Sequence, residues 1–268
     1  MAFLNFEGEY FLLKNKDGAY YSIYKLLKLM LMFSGFIFLF GGVWLTIGNL
    51  SSTVLQIIII LSLFLSISIS VILFEKKSLV TVGIQFRIKD VLFLLLGVSL
   101  AVILILSIFL VVILIKQDDS SLSIINQLYT IKRLPLSYLM IPFIEEMIFR
   151  GYMLNNMFLT LNFKKRSIIT SVLFMLPHLI IDGGNVSMMT LIFAMGIGTF
   201  LFGMFFNNVT HLSNSIWVSL GFHWIYNFLF STFYLDSSNY YIGIVCTITF
   251  LLIGTLVTRK MLIKRGRY

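Results

Sequence analysis

Long apolar runs separated by short polar or basic stretches recur along the chain, at 24–49, 53–74, 91–115, 135–160, 167–181, 186–207, 213–234 and 240–262. Most approach the ~20 residues that a helix needs to cross a bilayer core. The pattern predicts an all-α integral membrane protein, a bundle of about eight transmembrane helices forming one polytopic domain over 1–268. The fifth run is the shortest and contains Pro177. Proline has no N–H to offer the Leu173 carbonyl, so a kinked or partly re-entrant helix is expected there. Residues 1–23 lack the ordered basic region, apolar run and small-residue site of a cleaved signal, which leaves the first apolar helix as the expected targeting signal.

Composition strengthens this reading. Hydrophobic residues make up 59% and charged residues 12% of the 268, which excludes an ordinary soluble domain. The net charge of +9 would point to nucleic acid in a soluble protein; here it is read as membrane topology, with lipids as partners and no nucleic acid. Sixteen Lys and Arg fall on one side of the predicted bundle, and Lys116, Lys132 and Arg133 on the other. Both termini are therefore expected in the cytoplasm, in agreement with an even number of spans, and a multi-pass protein of a bacterial plasma membrane is expected. Segment 75–90 alternates basic and apolar residues and is expected along the headgroups or as a solvated loop. The single cysteine, Cys246, allows no intrachain disulfide.

Three of the apolar runs carry polar residues where lipid should make them costly. The segment 135–156, PLSYLMIPFIEEMIFRGYMLNN, holds Glu145, Glu146 and Arg150. Each charge at the centre of an isolated spanning helix costs about 2.5–3.5 kcal/mol. Glu146 and Arg150 stand at i and i+4 and are expected to pair, giving structural support. Glu145 points about 100° away and needs a proton, a partner or water. His178 follows Pro177 in the fifth run, and His223 and Asn227 share a face of the seventh. Counted from the basic flanks, these groups lie at similar depth, ~17 Å in for His178. His211, in NNVTHLSN, is read as a membrane-edge residue without a role. Ala194 and Gly198 form a small-xxx-small pair that predicts close helix contact. Trp224 and Tyr226 are close enough to the polar residues in sequence to shape a pocket.

Carboxylates, imidazoles, a guanidinium and a carboxamide together are an inventory for activating water against a carbonyl. No Gly-rich phosphate loop, G-x-S-x-G motif or cysteine pair is present. In one assignment Glu145 accepts the water proton, His178 orients the water, and His223 with Asn227 binds the oxyanion. In the other, His178, His223 and one of Glu145 and Glu146 bind Zn²⁺, with the remaining glutamate as base.

These residues resemble the CAAX prenyl endopeptidase and bacteriocin-processing (CPBP) family of intramembrane proteases. EEMIFR at 145–150, FMLPH at 174–178 and HWIYN at 223–227 stand in that family's order on separate predicted helices, within catalytic core motifs spanning 135–230. The resemblance implies an intramembrane endopeptidase acting on a membrane-associated peptide or protein, of prenylated, bacteriocin or pheromone type. It assigns water activation to Glu145 and His178 and oxyanion stabilisation to His223 and Asn227, and it leaves zinc and metal-free routes both open. Two rivals remain at this level: a non-catalytic scaffold or bacteriocin self-immunity protein using the same cavity, and a cation-coupled transporter. The second lacks the repeated halves with broken helices that such transporters carry.

Overall fold

A computed structural model describes residues 52–83, 87–116, 138–179, 187–233 and 239–268, with helical positions within 23–35. The residues expected at the cytoplasmic amino terminus, most of the first predicted span, and Lys132 and Arg133 lie outside the described residues. Every regular element among the described residues is helical. Helix α1 runs over Ser52–Ile69 and continues in a wider, π-helical turn over Ser70–Phe74. A 3₁₀ turn at Leu79–Val82 leads to α2, Ile88–Lys116. Helix α3 begins as Met140–Glu145, widens into π-helical geometry over Glu146–Met153 and closes as Leu154–Asn156. Then come α4, Phe163–Pro177, and α5, which is π-helical over Thr190–Gly198 and α-helical over Thr199–Ser213. Helices α6, Trp217–Phe233, and α7, Tyr240–Lys264, complete the bundle.

Among the described residues, three helices are long and apolar enough to cross a membrane: Ile88–Ile115, Thr190–Ser213 and Tyr240–Lys264. Their outward faces are unprotected aliphatic surface, as at Leu106 and Leu110 of α2 and Val245 and Ile253 of α7. Such a belt suits lipid and would be unstable in water. The protein is a helical membrane protein.

Two main apolar cores, and a small third around Leu154, Phe163 and Leu262, hold the described residues together. The larger joins α2, α5, α6 and α7 around Ile108, Phe206, Phe222 and Leu251. The smaller packs α1 and the Leu79–Val82 turn against α3 through Ile67, Val82, Met147 and Tyr152. Helices α2 and α6 approach most closely because glycines face each other's backbones. A Cβ on Gly97 would lie 2.1 Å from the Val218 carbonyl oxygen, and one on Gly221 would lie 2.3 Å from that of Leu94. Gly203 allows α5 a similar approach to Ser171 of α4. At Gly198, by contrast, an added Cβ would meet only the Phe193 carbonyl of its own helix. Among the described residues no neighbouring helix comes within 4 Å of that position.

Helix α5 also extends six residues past the predicted end at 207, absorbing most of NNVTHLSN. Those polar residues face neighbouring helices. Asn207 donates from Nδ2 toward Thr170 Oγ1 (2.8 Å), the Ser167 carbonyl (3.0 Å) and Ser171 Oγ (3.1 Å) of α4. Asn208 donates to Thr258 Oγ1 at 3.0 Å on α7. A backbone polar group or carboxamide in an apolar surround must be paired internally, so these asparagines end up inside and the helix continues. The turn after it uses Asn214 in the left-handed region, φ 51°.

One end of the bundle gathers the basic residues. Lys77 reaches Asn156, Arg166 donates to the Leu154 carbonyl, His211 stacks on Phe163, and Arg267 and His211 bond each other's backbones. Segment 75–90 is anchored there by its acids. Glu75, almost fully buried, binds Lys25 at 3.3 Å and accepts a 2.6 Å hydrogen bond from Tyr152. Asp90 accepts from Arg87 and from Ser215. Glu75 and Asp90 thus tie the two ends of the segment into the fold.

Candidate active site

The wide turn in α3 starts one residue after Glu145, at the three charged positions singled out above. A π-helical turn costs helix hydrogen-bond quality and is common where function requires side chains to be redirected. Here Glu146 and Arg150 are completely buried and joined by a 2.9 Å ion pair from Nη1 to Oε1. The guanidinium carbon sits 4.1 Å from the centre of the Phe174 ring and 5.1 Å from that of Phe206. Aromatic faces thus cover a cation that has left water. The expected pairing of these two residues is what the structure contains.

Pro177 ends α4 and places His178. The backbone N–H of His178 bonds the Met175 carbonyl, and its own ring Nδ1 takes the Phe174 carbonyl at 2.9 Å. A carbonyl only accepts, so Nδ1 carries a proton and Nε2 is the free nitrogen. Nε2 lies 3.8 Å from Glu145 Oε1. On α6, His223 is fixed in the same sense by a different partner. Its Nδ1 donates to Glu146 Oε1 at 2.9 Å, and its Nε2 lies 3.5 Å from Glu145 Oε2. Both imidazoles therefore turn Nε2 toward opposite oxygens of one carboxylate.

Glu145 is only 19% exposed, and its Oε2, buried, has no hydrogen-bond partner among the described residues. It borders a cavity of about 270 Å³ lined also by His178, His223, Asn227, Thr199 and Tyr226. An orphaned buried carboxylate oxygen beside a cavity is a position for a water or a substrate proton. Phe174, Phe202 and Phe230 supply apolar walls. Tyr226 shapes this cavity as expected and is held by Thr247 at 3.1 Å, whereas Trp224 is not among the lining residues. Thr199 and Phe202 join the lining without any signal in the sequence, because nothing in an apolar run marks which turn of α5 faces the site.

Glu145, His178 and His223 have the donor types of a His₂Glu zinc site. The two imidazoles, however, approach different oxygens of Glu145, and among the described residues no three His, Cys, Asp or Glu side chains form a metal-ligand group. Glu146, the other candidate ligand, spends Oε1 on Arg150 and His223. Glu145, His178 and His223 are the residues that would hold a Zn²⁺ ion, which would supply a Lewis acid for water there, and the same three groups can orient and deprotonate water directly.

Residues 127–229 match the family described as Type II CAAX prenyl endopeptidase Rce1-like. The matched region is just over a third of the chain and contains all three motifs, with Glu145, Glu146, Arg150, His178, His223 and Asn227, which bears out the resemblance to the CPBP family. No curated protein and no solved structure matches the chain.

Proposed function

We propose that the protein is an intramembrane endopeptidase that hydrolyses a peptide bond of a membrane-associated peptide or protein with water activated by Glu145. The observation that carries this reading is the placement of Glu145 between two imidazole Nε2 atoms, at the edge of a cavity that Asn227 also lines. Glu145 removes a proton from water, whose oxygen attacks the scissile carbonyl carbon. The C–N bond of the tetrahedral intermediate then breaks, and the proton held by Glu145 passes to the leaving amine. His178, with Nε2 free, accepts a hydrogen bond from the water and sets its direction.

His223 and Asn227, which line the same cavity, donate hydrogen bonds to the carbonyl oxygen as it becomes an oxyanion. Because Glu146 already holds the Nδ1 proton, donation from Nε2 requires the doubly protonated ring. The charges then close. Arg150 and His223 contribute two positive charges, Glu145 and Glu146 two negative. When Glu145 takes its proton the cluster becomes +1 as the substrate oxygen becomes −1, so the low-dielectric site stays neutral through the step.

The apolar cavity walls and the lipid-facing belt support a lipid-modified or amphipathic substrate, of prenylated, bacteriocin or pheromone type. The distribution of Lys and Arg supports a plasma-membrane protein with cytoplasmic termini, cleaving toward the cytoplasmic side. The test is cleavage of membrane-associated peptides by purified protein in liposomes. Wild type should cleave, and Glu145→Gln, folded and inserted, should lose about 10²–10⁴-fold in turnover. Unchanged turnover would remove Glu145 as the base. Cellular activity that survives both Glu145→Gln and His178→Ala would favour the scaffold or immunity role.

A further inference from the structure

A second cleft, of about 380 Å³, opens at the basic end of the bundle between the Leu79–Val82 turn, the start of α2 and the connection from α5 to α6. It shares no lining residue with the catalytic cavity. Arg87, Lys89, Asn155, His211, Ser213 and Asn214 line it, and among the described residues no carboxylate does.

The bonds around the cleft set its charge. Arg87 donates to Asp90 from Nε at 3.0 Å and from Nη2 at 3.3 Å, and Ser215 Oγ donates to Asp90 Oδ1 at 3.0 Å. That pair is neutral and held in place, yet the guanidinium keeps three of its five N–H donors. Lys89 has no carboxylate partner among the described residues. Among the described residues the cleft therefore presents one uncompensated positive charge, that of Lys89. Its walls are fixed independently of any ligand. Asn155 Nδ2 donates to the Arg150 carbonyl at 2.9 Å, and Gly83, in the left-handed region at φ 73°, lets its turn close against Ile216.

Apolar side chains stand at and beside these polar groups. Val80 lines the cleft and is exposed, and Ile88, outside the lining on the first turn of α2 and between Arg87 and Lys89 in the chain, is 85% exposed. An aqueous anion makes no use of them. A ligand that is anionic at one end and aliphatic at the other uses both.

We propose that this cleft binds the monoanionic phosphodiester headgroup of a membrane phospholipid. Lys89 neutralises the phosphate, Arg87 and Asn214 donate hydrogen bonds to it, and Val80 and Ile88 meet the first acyl methylenes. One net positive charge matches one phosphodiester and mismatches a polyanionic headgroup.

The test uses the full chain in phosphatidylcholine nanodiscs with graded phosphatidylglycerol, reading retained lipid by native mass spectrometry. One phosphatidylglycerol should be retained in preference to phosphatidylcholine. Lys89→Gln should weaken that preference about fivefold, the effect of one cation near a charged surface, and Lys89→Glu should remove it. A Lys164→Gln variant, losing the same charge outside the cleft, should keep it. Millimolar glycerol phosphate should leave the lipid in place; displacement would make this a free-phosphate site and overturn the lipid. Equal retention by wild type and Lys89→Glu would overturn the site itself. If Lys89→Glu fails to fold, thermal unfolding of Lys89→Gln decides: phosphatidylglycerol should raise the Tm of wild type and not of the variant.

Discussion

Glu146 and His223 are joined by a 2.9 Å hydrogen bond from Nδ1 to Oε1, and the opposite nitrogen of the same ring faces Glu145 at 3.5 Å. Glu146 also neutralises Arg150 from the same oxygen. One buried carboxylate thus fixes a catalytic imidazole and a structural cation together, which accounts for two consecutive glutamates with different duties. Glu145 faces the cavity; Glu146 faces the protein.

Glu146→Gln should therefore fail twice, in ways that can be measured separately. The buried guanidinium of Arg150 loses its counter-charge, which costs about 3–5 kcal/mol of stability. The neutral carboxamide also withdraws the negative charge that supports the doubly protonated His223 ring, so oxyanion donation from Nε2 weakens and turnover falls by about 10²–10³-fold. Thermal unfolding reads the first effect, and single-turnover cleavage below the lowered Tm reads the second. A variant that is destabilised but cleaves normally when folded would leave Glu146 with a structural role alone.

Asn227→Ala should act on the transition state and spare the ground state. A single oxyanion donor contributes about 3–4 kcal/mol there, so kcat should drop by about 10²–10³-fold with KM little changed. Asn227 lines the cavity and is only partly buried, so the Tm should stay near that of wild type. A change confined to KM would place Asn227 in substrate binding.

Chelation separates the two water-activating routes. If Glu145 deprotonates water directly, as proposed, cleavage by the purified protein should be unaffected by EDTA or phenanthroline. Loss of activity on chelation, restored by Zn²⁺ alone, would require the three side chains to close around a metal.

The site was readable in the sequence because charge inside an apolar run has so few structural explanations. Glu145, Glu146, Arg150, His178, His223 and Asn227 stood out against Leu, Ile and Phe, and the fold brings them together. What the pattern hid was geometry that apolar residues do not encode. The widened turn over Glu146–Met153 leaves no trace in composition, and Thr199 and Phe202 look like any other residues of α5. The end of α5 was misplaced for a physical reason. Asn207 and Asn208 resemble a polar connection, but each finds its partners on a neighbouring helix, where a polar residue binds helices together instead of ending one.

Asn207 accordingly offers a test of that packing away from the chemistry. Its Nδ2 carries two protons and lies near four acceptors on α4. Interhelical hydrogen bonds in membranes contribute about 0.6 kcal/mol each on average and up to about 1.7. Asn207→Ala should therefore destabilise by about 1–2 kcal/mol, seen as a lowered Tm in detergent. Turnover at temperatures where the variant is folded should be retained, since the residue does not line the cavity.

The helix pair α2 and α6 should tolerate much less, because its contact is backbone against backbone. A methyl group at Gly97 would lie 2.1 Å from one carbonyl oxygen and 2.7 Å from the Phe222 nitrogen, and at Gly221 it would lie 2.3 Å from the Leu94 oxygen. None of these atoms belongs to a side chain that can rotate away, so the helices must separate. Overpacking a core costs about 1–3 kcal/mol when side chains can adjust, and Gly97→Ala or Gly221→Ala should reach or exceed the top of that range. The displacement also reaches the site, since α6 carries His223 and Asn227, so turnover should fall together with stability. Gly35→Ala, where an added Cβ meets nothing within 4 Å among the described residues, is the control and should change neither. Near-wild-type Tm in both α2–α6 variants would show that the two helices do not pack through these glycines.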